Sequence, residues 1–152
     1  MGYYLQAVIG RASLDGDLRL PSARVITLRQ GLRMIPLTDA LFEEIQASLP
    51  DGGEPLERFE KFSPAVARWV QELSTRGLAA YVEAEYFGGT GGQAAVVWRH
   101  GETVFGPVHS DDAINRALRV FGVEAGGGLD EFDAVGLGLR RSTDDWLEGP
   151  PL

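Results

Sequence analysis

Two strand-like runs meet at a cluster of glycines in residues 79–106, AAYVEAEYFGGTGGQAAVVWRHGETVFG, and no other stretch constrains the fold as strongly. Side chains of an extended chain alternate between faces. Ala80, Val82, Ala84 and Tyr86 therefore share one face, and Tyr81, Glu83, Glu85 and Phe87 share the other. The first face reads as core, while the second carries two carboxylates bracketed by aromatic rings. Beyond Gly88-Gly89-Thr90-Gly91-Gly92, residues 93–98 (QAAVVW) are rich in β-branched and aromatic side chains. A third run, Thr103 to Phe105, follows the break at His100-Gly101 and ends at Gly106-Pro107. The pattern predicts a three-stranded antiparallel meander.

On either side, turn formers and capping residues mark out the remaining elements. Tyr3 to Ile9 reads as a strand closed by Gly10, and residues 11–22, with Asp15-Gly16-Asp17 and Pro21, as a loop. Arg24 to Leu28 and Leu32 to Ile35 predict a hairpin with Gly31 near its turn. Its ladder stops at Pro36, which has no N–H to donate. Thr38 is placed to cap a helix, with Asp39 in the first turn and Leu37 stapled to Phe42. Leu41, Phe42, Ile45 and Leu49 form its apolar stripe, and Asp51 to Pro55 make a turn-rich connector. Ser63 and Pro64 open a second helix, striped by Val66, Trp69, Val70 and Leu73 and closed by Gly77. A third begins at Ser110-Asp111-Asp112, carries Ile114, Ala117, Leu118 and Phe121, and stops at Gly122. In the tail, Asp130 to Val135 predicts a turn or two of helix. Ser142 caps a last one there, with Trp146 and Leu147 packing inward. The sum is a single α+β domain: an antiparallel sheet of five or six strands, with three main helices largely on one face.

At 152 residues the chain is long enough for one hydrophobic core. The absence of cysteine excludes disulfides, thiolate metal sites and thiol nucleophiles. No apolar run approaches the roughly 18 residues of a membrane span, and no leader is evident, so a soluble, cytoplasmic protein is expected. The net charge of −8, from 22 acidic and 14 basic residues, argues against a nucleic-acid surface, which needs a positive footprint.

Motifs that carry chemistry are few. The glycine cluster lacks the lysine of a phosphate-binding loop and is followed by a strand rather than a helix, so it reads as a hairpin loop. Glu83 and Glu85, roughly 6–7 Å apart along one strand face, have the residue types for acid–base or cation chemistry. The competing reading is a solvated acidic row, paired across the sheet with Arg99. His100 and His109 stand in no zinc-site spacing, although His109 lies near Asp111 and Asp112. No nucleophile elbow occurs and no cofactor or metal motif is present. The pairs Asp111-Asp112 and Asp144-Asp145, with Asp130, Glu131 and Asp133, concentrate carboxylates in the last third of the chain. Trp69, Trp98 and Trp146 all read as core.

The segments YVEAEYFGGTGGQAAVVW, INRALRVFGV and DEFDAVGLGLRRSTDDWL, together with MGYYLQAVIGR and LTDALF, span most of the chain. In them the sequence resembles a family of small bacterial proteins similar in size and layout to immunity proteins, which neutralise polymorphic toxins of neighbouring bacteria. The resemblance implies a stoichiometric inhibitor and brings no catalytic set with it. The expected function is a non-enzymatic module that binds a protein partner, a basic toxin domain, and occludes its active site. An acidic surface would do so by mimicking phosphates. The expected surface comprises Glu83, Glu85, Gly89, Thr90, Gly91, Asp111, Asp112, Asp144 and Asp145. Two alternatives stay open: a small hydrolase or metal-dependent enzyme using Glu83 and Glu85, and a module holding an apolar ligand between Tyr81 and Phe87.

Overall fold

Six consecutive residues of the first strand, Leu5 to Gly10, are buried, so both faces of that strand must be covered. That requirement organises the fold. The structure, a computed structural model, describes residues 2–16, 19–48, 53–87 and 90–148. Strand β1 (Tyr3–Gly10) lies between β3 (Arg33–Pro36) and β4 (Leu78–Phe87), antiparallel to both. The two-residue β2 (Ile26–Thr27) extends the sheet beyond β3, and β5 (Thr90–Arg99) and β6 (Glu102–Ser110) extend it beyond β4. The order is β2-β3-β1-β4-β5-β6, six strands with every pairing antiparallel.

Between β3 and β4 the chain forms two helices, α1 (Asp39–Ser48) and α2 (Pro64–Leu73), that lie on one face of the sheet. Thr38 Oγ1 accepts from Leu41 N at 3.2 Å, the cap its position predicts, and Leu41 and Ile45 are buried. Leu49, Pro50 and residues 51–52 of the connector lie outside the described residues. Ser63 caps α2 by accepting from Val66 N, Pro64 stands in the first turn, and Val66, Trp69 and Val70 turn inward. Each large apolar side chain so buried contributes about 1.5–3 kcal/mol. They meet Val8, Tyr81, Val96 and Trp98 from the sheet.

Helix α3 (Ala113–Val120) departs from the expectation that the helices share a face. It packs with α4 (Glu131–Ala134) and α5 (Asp145–Glu148) on the opposite side, over Leu5, Ala7, Ile9, Val82 and Val97. The reason lies in the central strands, which are apolar at both parities: Ala79 and Tyr81 face one layer, Ala80 and Val82 the other. Of the tail pair expected to pack inward, Trp146 is buried and Leu147 is exposed.

The meander is longer than its sequence pattern. Thr90 and Gly91, expected in the loop, already pair with Phe87 and Tyr86. Strand β6, expected to stop at Gly106-Pro107, continues to Ser110 through register shifts opposite Ala95–Trp98. Pro107 is tolerated because β6 is an outer strand whose free side needs no donor. Gly106, at φ +82°, makes the shift possible, since a Cβ there would lie 2.3 Å from Ala95 O.

Gly91 is constrained more tightly still, with φ +141° and a virtual Cβ 1.8 Å from Glu85 O, while a Cβ on Gly92 meets nothing within 4 Å. Gly91→Ala is expected to cost about 2 kcal/mol or more, and Gly92→Ala to stay within about 0.5 kcal/mol of wild type. Urea unfolding of the two variants side by side checks this.

Candidate functional site

The sheet register sets four residues in a row on the face shared with α1 and α2. Gln6 pairs with Glu83, Glu83 with Ala94, and Ala94 with His109, on β1, β4, β5 and β6. One step toward the β4–β5 turn, Tyr4 pairs with Glu85 and Glu85 with Gly92. Ala94 and Gly92 hold the middle of both rows and carry almost no side chain. The space above them is a cleft of about 380 Å³. Gln6, Glu83, Glu85 and His109 line it, Thr90, Gly91, Ser110 and Asp111 contribute on the turn and β6 sides, and Arg58 and Glu60 overhang it.

A buried carboxylate holds the overhang in place. Glu83 is 7% exposed and takes three donors: Glu60 N at 2.8 and 3.1 Å to its two oxygens, Lys61 N at 2.9 Å, and the Tyr81 hydroxyl at 2.5 Å. Tyr81 is in turn covered by the same segment, with ring centroids 4.8 Å from Phe62 and 6.2 Å from Phe59. Phe59 also meets His109 edge-on at 4.7 Å. Aromatic packing and the Glu83 hydrogen bonds thus fasten the loop before α2 across the sheet and leave the cleft beside it.

Burial raises the Glu83 pKa above the ordinary glutamate value, against the opposing pull of the Tyr81, Glu60 and Lys61 donors. Burial likewise pushes the Tyr81 hydroxyl well above its usual value, with the Glu83 charge adding to the rise. Tyr4 is raised for the same first reason and by Glu60, while the nearby Gln6 amide holds it down. The two polar atoms of the Gln6 side chain, itself 1% exposed, complete no hydrogen bond, and neither does the buried His109 Nε2.

Of the residues singled out in the sequence, Glu83, Glu85, Thr90, Gly91 and Asp111 converge on this cleft. Gly89 lies outside the described residues. Asp112 stands off the cleft lining, accepting from Ser110 Oγ at 2.8 Å. Asp144 and Asp145 belong to the tail that packs on the other face, so they form no surface with the rest. The acidic row paired with Arg99 is overturned: Glu83 is buried and hydrogen-bonded, and Arg99 pairs with Leu78. Of the expected apolar slot between Tyr81 and Phe87, Phe59 and Phe62 cover the Tyr81 end, and the cleft that stays open is lined by polar groups together with Ala84, Phe87 and Ala94. His109 stands on β6 rather than in a loop.

The sequence reading passed over Gln6, Arg58 and Glu60. Gln6 had a signal, a polar residue at an interior position of an otherwise apolar strand. Arg58 and Glu60 had none, because nothing local says that this stretch folds over the sheet. Among the described residues no three His, Asp or Glu side chains are grouped to hold a metal ion, and no helix is long and apolar enough to cross a membrane. Compared with family models, curated proteins and solved structures, the chain matches none of them.

Because the folded state raises the Glu83 pKa, it keeps that proton to higher pH than the unfolded chain. The resulting stabilisation is full below the ordinary value of 4.5 and is lost as pH rises through the folded value. Urea unfolding from about pH 4 to about pH 8 is expected to show this fall in wild type. Glu83→Gln, which cannot titrate, is expected to lack that component of the pH dependence.

Proposed function

We propose that the protein is a non-enzymatic binding module of the immunity type, whose acidic cleft receives a basic surface of a protein partner. The observation that carries this reading is the charge around one opening. Four carboxylates, Glu60, Glu83, Glu85 and Asp111, face it against the single guanidinium of Arg58. Such a cleft focuses a negative potential that speeds association with a cationic partner and opposes anionic ones. A nuclease-type toxin domain, whose active site is built to meet phosphates, presents the complementary charge. On this reading the protein works in the bacterial cytoplasm, where a nuclease finds its substrate.

A second reading, acid–base catalysis by a small hydrolase, has one observation in its favour. Glu83, with a raised pKa, and Glu85 line the same cleft as a histidine. Against it stands the engagement of Glu83. Its Oε2 already accepts from Glu60 N, Lys61 N and the Tyr81 hydroxyl, so that oxygen has no room for a substrate proton and the carboxylate is committed to holding the loop before α2.

The test is capture of the partner from native lysate by four proteins: wild type, Glu85→Lys with Asp111→Lys, Asp144→Lys with Asp145→Lys, and a mock bait. A stoichiometric, basic, salt-sensitive partner is expected with wild type and with the tail variant. The cleft variant is expected to lose about tenfold or more in affinity, chiefly through slower association. Equal retention by both variants, or no specific partner, defeats the proposal.

A further inference from the structure

We infer that the floor of the cleft is a guanidinium subsite that takes one arginine side chain of the partner. This rests on the acidic-cleft reading and adds to it the chemistry of the group that enters. The unused hydrogen-bonding capacity at the floor carries the argument. Gln6 is 1% exposed and lines the cleft, yet its Oε1 has no donor. Buried amides are paired in the great majority of sites, and one left open at the bottom of a cleft marks where an incoming group supplies the partner. Of its two unpartnered polar atoms Oε1 is the one that accepts, so the group it lacks is a donor.

Three further acceptors share the floor. Glu83 Oε1 accepts from Glu60 N alone, leaving capacity for a second donor. Glu85 presents its carboxylate two residues along the same strand face. His109 Nε2, buried and without a partner, accepts when the ring proton is on Nδ1. Gln6 and Glu83 stand one interstrand step apart, roughly 5 Å, and Glu85 lies roughly 7 Å along the strand from Glu83, while His109, two strands beyond Glu83, bounds the far end of the floor. A point-like, strongly hydrated ammonium matches acceptors set side by side in this way poorly. A guanidinium matches them, because it fans five N–H donors in a plane, accepts nothing and sheds water more readily. The arginine stem has an apolar rim to cross: Phe87, more than half exposed, lines the cleft, and Phe59 packs against the His109 ring.

A guanidinium could come from a protein side chain or from a free guanidino compound. The mouth decides between them. Free arginine would bring its carboxylate against Glu60 and Asp111, whereas arginine within a polypeptide brings none.

The experiment follows protein resonances by NMR during titration with N-acetyl-arginine-N-methylamide, its lysine and citrulline counterparts, and free L-arginine. Wild type, Gln6→Leu and Glu85→Gln are compared, each with its amide spectrum as a check of folding. The inference expects the blocked arginine to move the Gln6 side-chain amide and His109 signals. It expects about tenfold weaker binding of lysine and of free arginine, none of citrulline, and about fivefold or greater loss in either variant. Glu85→Gln leaves the buried Gln6 untouched, so it still tests the site if Gln6→Leu fails to fold. Equal binding of arginine and lysine, lost in Glu85→Gln, overturns the guanidinium subsite and leaves the acidic-cleft reading standing. Free arginine binding as tightly as the blocked form overturns the partner-borne source. Absence of binding by every cationic probe overturns the inference, and the partner capture with Glu85→Lys and Asp111→Lys then decides separately whether the cleft reading falls with it.

Discussion

A carboxylate buried among hydrogen-bond donors sets both the shape of this protein and the place where it opens. Glu83 is taken out of water at a cost that burial imposes on any charged group, and its raised pKa records that cost. The two loop N–H groups and the Tyr81 hydroxyl offset it. Removing either side of that arrangement leaves polar groups stranded at an apolar surface, the costlier half of hydrogen-bond energetics. The loop before α2 therefore has one docked position. The cleft is the part of the sheet face that this loop leaves uncovered.

The charge around the cleft and the size of its floor residues have a common origin in strand register. Ala94 and Gly92 carry small side chains, or none, opposite Glu83 and Glu85, while Val96 and Trp98 on the same strand face fill the layer beneath α2. One face of β5 thus changes within a few residues from packed core to open floor. The sequence QAAVVW already contains that gradient, from small to large. An apolar rim at Phe87 above an acidic floor suits recognition of long cationic side chains, whose stems and heads have opposite solvent preferences.

Much of the fold was legible because it rests on local chemistry. The Ser63–Pro64 start of α2, the Thr38 cap and the alternation of β4 need only their own neighbours to be read. The placement of α3 on the far face was not, because it follows from Ala79 and Tyr81 being apolar at the parity opposite to Ala80 and Val82. Small and aromatic residues leave that parity ambiguous in a single strand. The site divided in the same way. Glu83, Glu85, Thr90, Gly91 and Asp111 were found because one hairpin and its flank bring them together. Gln6 and Glu60 come from distant segments, and only the register of β1 on β4 and the docking of the loop bring them near. The tail pair Asp144 and Asp145 shared charge with the site but not location, since charge counts carry no address.

The Tyr4 backbone holds one more consequence. Its N–H donates to Arg141 O at 2.8 Å, and its carbonyl accepts from Thr143 N at 2.9 Å. On the ribosome, β1 is made before every element that pairs with it. Its ladders wait for β3, then for β4, which begins only at Leu78, and its outer end waits for residues 141–143. Pairings at such sequence separation are slow to form, and an apolar strand kept waiting is open to wrong partners in the meantime. The central strand of the sheet precedes every segment that pairs with it, and its edge closes only when residues 141–143 arrive.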